Sequence, residues 1–425
     1  MTQIHPAIER LVDEAAAECR AHYGRLERIE NDNTRRVLAA FQSHRVSMRH
    51  FAPTTGYGYD DIGRDTLSDI MAGLMGCEAA LVRPQIASGT HALALCLYGV
   101  LRPGDTMLAA SGRPYDTLEE VIGLSGAPGM GSLKEYGVKY REIDVLPDGR
   151  LDLPAIEQAL RTDASIRLVE LQRSRGYAWR PSLSVAQLEE AARLIHAVRP
   201  QAVVMADNCY GEFTDAREPG DVGVDLMAGS MIKNPGGGLA PTGGYVAGRR
   251  DLVELVAYRL TSPGIGAEVG SYAGSYQPFY QGLFMAPHVV MQAVKTAVLA
   301  ARVFEKLGYD VNPRCDAPRA DIIQAIRFPS AETLIAFIQG IQLNSPVDSE
   351  ALPEPWAMPG YQDPVIMAAG TFVAGASIEL SADAPVRAPY IAYMQGALTY
   401  AHGRCGLEGA LQYMLDKGLL SLPHA

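Results

Sequence analysis

A chain of 425 residues, 48% hydrophobic and 20% charged, is long enough for one large domain and a smaller one, and its composition is that of a packed globular protein. A formal net charge of −11 argues against a nucleic-acid partner, because phosphate binding needs a basic face that no stretch supplies, and favours small molecules as ligands. The opening residues, MTQIHPAIERLVDEAAAECR, carry acids where a secretory segment needs an unbroken apolar run, and no later segment is expected to reach the length of a membrane span, so the expected location is the cytoplasm.

Along the chain, residues 8–43 carry helix-period apolar positions (Ile8, Leu11, Val12, Ala15, Ala16) interrupted near Asn31 to Asn33, which predicts two helices joined by a break. Residues 1–55 are read as an N-terminal helical arm, not a domain core. From Ala79 onward short apolar strands alternate with helical stretches: ALVRPQIA then HALALCLYGVL, TMLAA then YDTLEEVIGL, RLVELQ then VAQLEEAARLIHAV, AVVMAD, and VDLMAGSMI. Such alternation predicts a mainly parallel sheet with helices on both faces, and ligands in such sheets bind beyond the carboxyl ends of the strands. This large domain is assigned residues 56–286. Beyond Pro287 a long helical stretch, HVVMQAVKTAVLAARVFEKLG, and shorter mixed segments predict a small α+β domain over 287–425. The six cysteines (Cys19, Cys77, Cys96, Cys209, Cys315, Cys405) form no CxxC pair and no His/Cys cluster at metal-ligand spacing; they are expected to be reduced thiols, mostly core, with no metal.

The chemistry begins at VDLMAGSMIKNPGGG, where a buried strand runs into Lys233 and a run of glycines. A lysine that bonds a carbonyl cofactor needs that setting, since partial desolvation lowers its pKa and leaves a nucleophilic fraction; a solvated lysine at a strand end is the plain alternative. In AVVMADNCYGEF the preceding strand ends at Asp207, where a carboxylate would face the pyridine nitrogen of pyridoxal 5′-phosphate and keep it protonated; a turn-capping Asp is the plain alternative there. Strand ALVRPQIA leads into Ser88-Gly89-Thr90-His91 and an apolar helix, which gathers free backbone N–H groups and two hydroxyls at a helix N-terminus, either an ordinary cap or a phosphate cup. Together the three elements point to pyridoxal 5′-phosphate. Neither G-x-G-x-x-G nor G-x-x-x-x-G-K-[ST] follows the first strand, which excludes the usual nicotinamide and nucleoside-triphosphate cradles.

SGTHAL, ADN ahead of a buried lysine, GSMIKNPGGGLAPTGGYVAG, TTGYGYDDIGRDTL and LQRSRGYAWRPSL together resemble the methionine gamma-lyase / aluminium-resistance protein family of fold-type I pyridoxal-phosphate enzymes, distant relatives of the cystathionine- and methionine-cleaving enzymes. The resemblance implies a mainly parallel seven-stranded large-domain sheet. It also implies a homodimer or homotetramer with active sites shared between subunits, and cleavage or replacement at Cβ or Cγ of a small amino-acid substrate. In those relatives a Ser three residues before the lysine binds phosphate, and Ser230 holds that place; the Thr they carry two before it is Met231 here. Their Tyr-x-Arg segment, which reaches the neighbouring subunit's phosphate, resembles Tyr57-Gly58-Tyr59, so either the tyrosines replace the arginine or Arg64 fills in; Tyr57 joins the catalytic set and Tyr59 and Arg64 the cofactor set. Tyr115 resembles the tyrosine that stacks on the ring and acts as acid to the leaving group. Glu379 aligns with the relatives' carboxylate-binding arginine, so Arg387 becomes the expected anchor, with Arg173 and Arg175 as further substrate or phosphate contacts. Asn208 and Tyr210 would orient the ring or the acid, and His91 is either a stacking partner or a core histidine.

The function expected is a lyase that takes the α-proton with Lys233 and eliminates a thiolate, halide or similar group from Cγ or Cβ. The alternatives are an aminotransferase, which would share Lys233 and Asp207, and a pyridoxal-phosphate-binding metal-tolerance protein without lyase activity.

Overall fold

The computed structural model describes residues 3–358 and 360–422; the outermost residues of the expected arm and of the expected small domain lie outside them. Helix α1 (Pro6–Ser43) is followed by α2 (Ile62–Leu74), β1 (Ala79–Arg83), α3 (Gly89–Val100), β2 (Thr106–Ala109), α4 (Asp116–Ile122) and β3 (Lys139–Glu142). Then come α5 (Leu153–Thr162), β4 (Ile166–Gln172), α6 (Val185–Val198), β5 (Val203–Asp207), β6 (Leu226–Ser230), β7 (Gly244–Gly248), α7 (Arg250–Leu260) and α8 (Gln277–Lys306). The last part holds β8 (Val311–Asn312), β9 (Gln324–Arg327), α9 (Ala331–Leu343), β10 (Val365–Ala368), β11 (Ser381–Pro385), β12 (Ile391–Gln395) and α10 (Tyr400–Asp416).

The first seven strands form one sheet in the order β1-β7-β6-β5-β4-β2-β3. Strands β2 to β6 run parallel, and β7 lies antiparallel between β6 and β1. This is the mainly parallel seven-stranded fold-type I sheet expected. Alternation along each strand sorts the faces: Val203 and Met205 of β5 pack with α3 and α7, whereas Val204 and Ala206 pack on the opposite side with α6 and α8. Asp207, in phase with Val203 and Met205, therefore ends β5 on the α3 side, as Ser230 ends β6. The remaining strands make an antiparallel sheet, β10-β11-β12-β9-β8, with α9 and α10 packed on it.

Four features differ from the sequence reading, two in α1 and two in α8. The break expected near Asn31 to Asn33 is absent: α1 runs unbroken for 38 residues. Asn33 is buried, and its Nδ2 donates to the carbonyls of Phe213 (3.3 Å) and Asp215 (2.9 Å), so a residue that weakens an isolated helix here docks the helix onto the turn after β5. Nor is α1 an arm outside the core, because Ile8, Leu11, Val12 and Ala15 join the small sheet's core while Cys19 and Val37 join the large one. Ion pairs from Glu18 to Lys306 (3.0 Å) and from Glu27 to Lys295 (3.1 Å) tie it to α8.

Helix α8 crosses the expected division at 286/287. Its residues through Val298 pack in the large sheet's core, and those from Leu299 pack in the small one's. It is also, contrary to expectation, long and apolar enough to span a membrane, with a mean hydropathy of 1.4 over its best window; 72% of that window is buried inside the fold. A helix that belongs to two cores has no polar face to spare, which accounts for its composition.

Candidate active site

The carboxyl ends of β5 and β6, the N-terminus of α3 and one wall of the small sheet enclose a cavity of about 350 Å³. Lys233, Asp207, Ser88, Gly89, Thr90, Ser230 and Tyr115 all line it, so seven of the sequence-selected residues meet in one place.

Lys233 stands three residues beyond β6, at the head of a tight turn over Asn234–Gly236. Its Nζ lies 4.1 Å from the centre of the Tyr210 ring. Tyr210 adopts φ of 71°, a left-handed backbone unusual for an aromatic residue and costing on the order of 1–3 kcal/mol, in the turn that follows Asp207. Burial pushes the lysine amine toward its neutral form, but Cys209, Tyr210, Asp207 and Glu212 surround it, and the balance holds it protonated, above the ordinary lysine range. The lowered pKa expected from desolvation is thus reversed, because the desolvated site is also an acidic one.

Asp207 Oδ1 accepts the Cys209 N–H at 3.1 Å. Burial raises its pKa, while Lys233 and that N–H oppose the rise. At the start of α3, Ser88 caps the helix by accepting the His91 N–H at 3.0 Å, and Thr90 shares a hydrogen bond of 2.6 Å with Thr117. The two hydroxyls are engaged, but the first-turn N–H groups of the helix face the cavity end. His91 Nδ1 accepts the Ala87 N–H at 3.0 Å, which makes it part of the cap. A Cβ on Gly89 would lie 3.1 Å from Cys209 Sγ and 4.0 Å from Lys233 Nζ, so the bare glycine keeps the floor between helix and lysine open.

Tyr115, at the head of α4, shares a hydrogen bond of 2.8 Å with the Tyr361 hydroxyl and packs against the Tyr177 ring. Burial, with Tyr177 and Tyr361 adding to it, raises the Tyr115 pKa well above the ordinary range, so it stays a hydroxyl and a donor.

Other selected residues lie elsewhere. Arg173 is fully buried below the cavity: Nη1 donates to Asn208 Oδ1 (2.8 Å), Nη2 to Thr214 Oγ1 (3.2 Å), and Glu218 is 3.5 Å away. A Cβ on Gly211 would sit 2.4 Å from Arg173 Cδ, so that glycine is what admits the guanidinium. Asn208 continues the network by donating to the Tyr245 hydroxyl at 3.0 Å, which donates to Glu212 at 2.9 Å. Both residues are thus structural members of a polar network beneath Lys233 and do not reach its cavity. Arg175 donates to the Asn312 carbonyl at 2.6 Å and, with Arg387, lines an adjoining cavity of about 410 Å³ on the far side of Tyr115. Arg387 is exposed and paired with Asp363 at 2.6 Å. Neither arginine lines the lysine's cavity, so Arg387 does not fill the anchor role expected of it there. Glu379 accepts the N–H groups of Phe372 and Val373 and braces the loop above the cavity. The Arg64 guanidinium is spent on the Gly58 carbonyl (2.8 Å) and Asp65 (2.7 Å), holding the turn that carries Tyr57 and Tyr59. Those two tyrosines are 71% and 63% exposed, outside this chain's own cavity.

The sequence reading missed Asp383, Gln395, Ser377, Ser381 and Tyr361, which form the small-sheet wall of the cavity. Ser381-Ala382-Asp383-Ala384 does alternate polar and small residues with the period of a strand, a signal that could have marked one wet face.

Glu170 was missed too. It is fully buried on β4 and neither carboxyl oxygen has a hydrogen-bond partner among the described residues; burial, with Asp207 adding to it, pushes its pKa up to about 8. The folded state therefore holds this proton through the range from about 4.5 to 8 while the unfolded chain loses it, so stability falls as pH rises across that window, by on the order of 1 kcal/mol per unit. Glu170→Gln, neutral throughout, should gain melting temperature over the wild type at pH 8.5 and show little gain at pH 5. An equal gain at both would place the carboxyl's ionisation outside the window.

A family model described as methionine gamma-lyase matches residues 8–415. The chain is 50% identical over 413 residues to the protein YnbB of Bacillus subtilis (strain 168), covering 97% of this chain and 98% of that one. The crystal structure of a carbon-sulfur lyase involved in aluminum resistance from Clostridium novyi NT superposes with a TM-score of 0.93 at 49% identity, over 96% of each chain. An L-methionine gamma-lyase of Pseudomonas putida is 30% identical over 207 residues, 47% of this chain and 45% of that one.

Proposed function

The chain belongs to the methionine gamma-lyase family, and from that membership and the geometry of the cavity we propose that it is a pyridoxal 5′-phosphate-dependent lyase that eliminates a thiolate, halide or similar group from Cγ, or Cβ, of an amino acid. The family is one of pyridoxal-phosphate-dependent carbon–sulfur lyases. The observation that carries the reading is the convergence of Lys233, Asp207 and the α3 N-terminus on one cavity.

The donor set fits the cofactor. Backbone N–H groups at the start of α3, with Ser88, Thr90 and Ser230, suit its phosphate; Asp207 suits the ring nitrogen; Lys233 suits its aldehyde carbon; and bare Gly89 leaves room between them. When bound, pyridoxal 5′-phosphate supplies an electron-withdrawing ring that acidifies the substrate's Cα–H.

The chain's own residues do the rest. Asp207 holds a proton at the ring nitrogen, and its burial makes that charge pairing strong. Lys233 Nζ, whose charged state belongs to the cavity without cofactor, would as a neutral amine be the base suited to taking the Cα proton and, for a Cγ leaving group, a Cβ proton in turn. Tyr115 Oη, kept as a hydroxyl and shared with Tyr361, suits delivery of a proton to the departing atom. Tyr210, stacked on the lysine amine, limits where Nζ can swing. The exposed pair Tyr57 and Tyr59, braced through Arg64, suits a second copy of the chain, whose cavity it would complete in a homodimer or homotetramer.

The test is a panel of methionine, cystathionine, homoserine derivatives and γ-halogenated amino acids given to the cofactor-loaded protein with no ketoacid added. Release of thiol or halide with ammonia is expected. Turnover that requires an added ketoacid would make the protein an aminotransferase.

A further inference from the structure

Within the wall that the small sheet turns toward the cavity, an acid and two hydroxyls stand together beside apolar Met367, Ala369 and Ala376. In β11 the strand alternation puts Ser381 and Asp383 on one face, and Gln395 of β12, paired in register with Ser381, donates Nε2 to Asp383 Oδ2 at 3.0 Å. The hydroxyls of Ser377 and Ser381 are buried, 7% and 5% exposed; that of Ser381 has no hydrogen-bond partner among the described residues, and that of Ser377 has only the Tyr210 hydroxyl beside it, short of a well-formed bond. Buried polar atoms without partners are uncommon in native folds, and these line a cavity beside a carboxylate. Among the described residues lining that cavity, Lys233 is the sole cation, and Asp207 and Asp383 are the acids.

A substrate tied to the cofactor through its amine can turn two groups toward this wall, its carboxylate or the end of its side chain. The carboxylate is disfavoured, since it would bring a like charge against Asp383 in an enclosed site. The side-chain end remains. An ammonium group supplies three donors and a positive charge, which matches one carboxylate and two hydroxyl oxygens; an alkyl group leaves both hydroxyls unpaired and the carboxylate without a cation.

Resting on the lyase reading above, we infer that the small-sheet wall selects a substrate whose departing fragment ends in a protonated amine, received by Asp383 together with Ser377 and Ser381. Gln395 is a positioning residue that fixes the carboxylate. Burial raises Asp383 to about 6, with Gln395, the Tyr177 hydroxyl and Lys233 opposing, so it is mostly charged at neutral pH.

The experiment compares two isosteric pairs on the cofactor-loaded protein: the S-(2-aminoethyl) and S-propyl thioethers of cysteine and of homocysteine. Apparent Kd comes from the cofactor's absorbance change, and kcat/KM from thiol release. Wild type should favour the amine-ended member on the order of tenfold or more, the worth of one charge-assisted hydrogen bond. Asp383→Asn should bring the ratio of the two affinities within each pair close to one, whatever its affinity for the S-propyl member; removing a desolvated charge makes this variant expected to fold. Ser381→Ala should keep part of the advantage. Equal affinities in wild type, or an advantage that survives Asp383→Asn, would overturn the inference. The lyase reading stands or falls on the panel given above; if neither pair here releases thiol, the Kd ratio still decides the wall's selectivity.

Discussion

Lys233→Ala is expected to lose on the order of 10³-fold or more of kcat/KM for thiol release, because the same amine holds the cofactor and moves the proton at Cα. The loss should be accompanied by disappearance of the cofactor's lysine-bound absorbance, with the far-ultraviolet dichroism retained. The substitution also leaves buried Asp207 without its cation and takes the amine from over the Tyr210 ring, so some loss of melting temperature is expected in the cofactor-free variant. What separates a chemical role from a structural one is activity per folded molecule. A variant that folds poorly yet turns over normally would make Lys233 a structural lysine.

Arg173→Ala should cost about 3–5 kcal/mol of stability, read as a shift of the urea unfolding midpoint, since it strands Glu218 and Asn208 in a fully buried network. Its kcat/KM per folded molecule should stay within a few-fold of wild type. The opposite pattern, intact stability with a raised KM, would return Arg173 to the substrate-binding role that the sequence suggests for it.

That pair of variants also shows where the sequence is legible. Lys233, Asp207 and the Ser88–Thr90 turn are readable because each ends or begins a strongly patterned element, and in a parallel sheet the ends of neighbouring strands must come together. Arg173 and Arg175 follow β4 at the same edge, so position in the chain suggests the cavity for them as well. Their burial depends on Gly211, Thr214 and Asn312, partners 38 to 137 residues away, which no local pattern reveals. The small-sheet wall is hidden for a related reason: Asp383 and Gln395 matter only once β11 and β12 are paired and turned toward Lys233, and a short Ala-rich strand gives little periodic signal. The expected break in α1 fails by the same physics, since Asn33 weakens a helix in isolation and anchors it in place.

The most direct measurement of the central claim is borohydride reduction of the cofactor-loaded protein followed by peptide mapping. The account predicts a pyridoxyl-phosphate adduct on the peptide that carries Lys233 between Ser230 and Gly236, absent without reduction. An unmodified Lys233, or an adduct confined to other lysines, would contradict it.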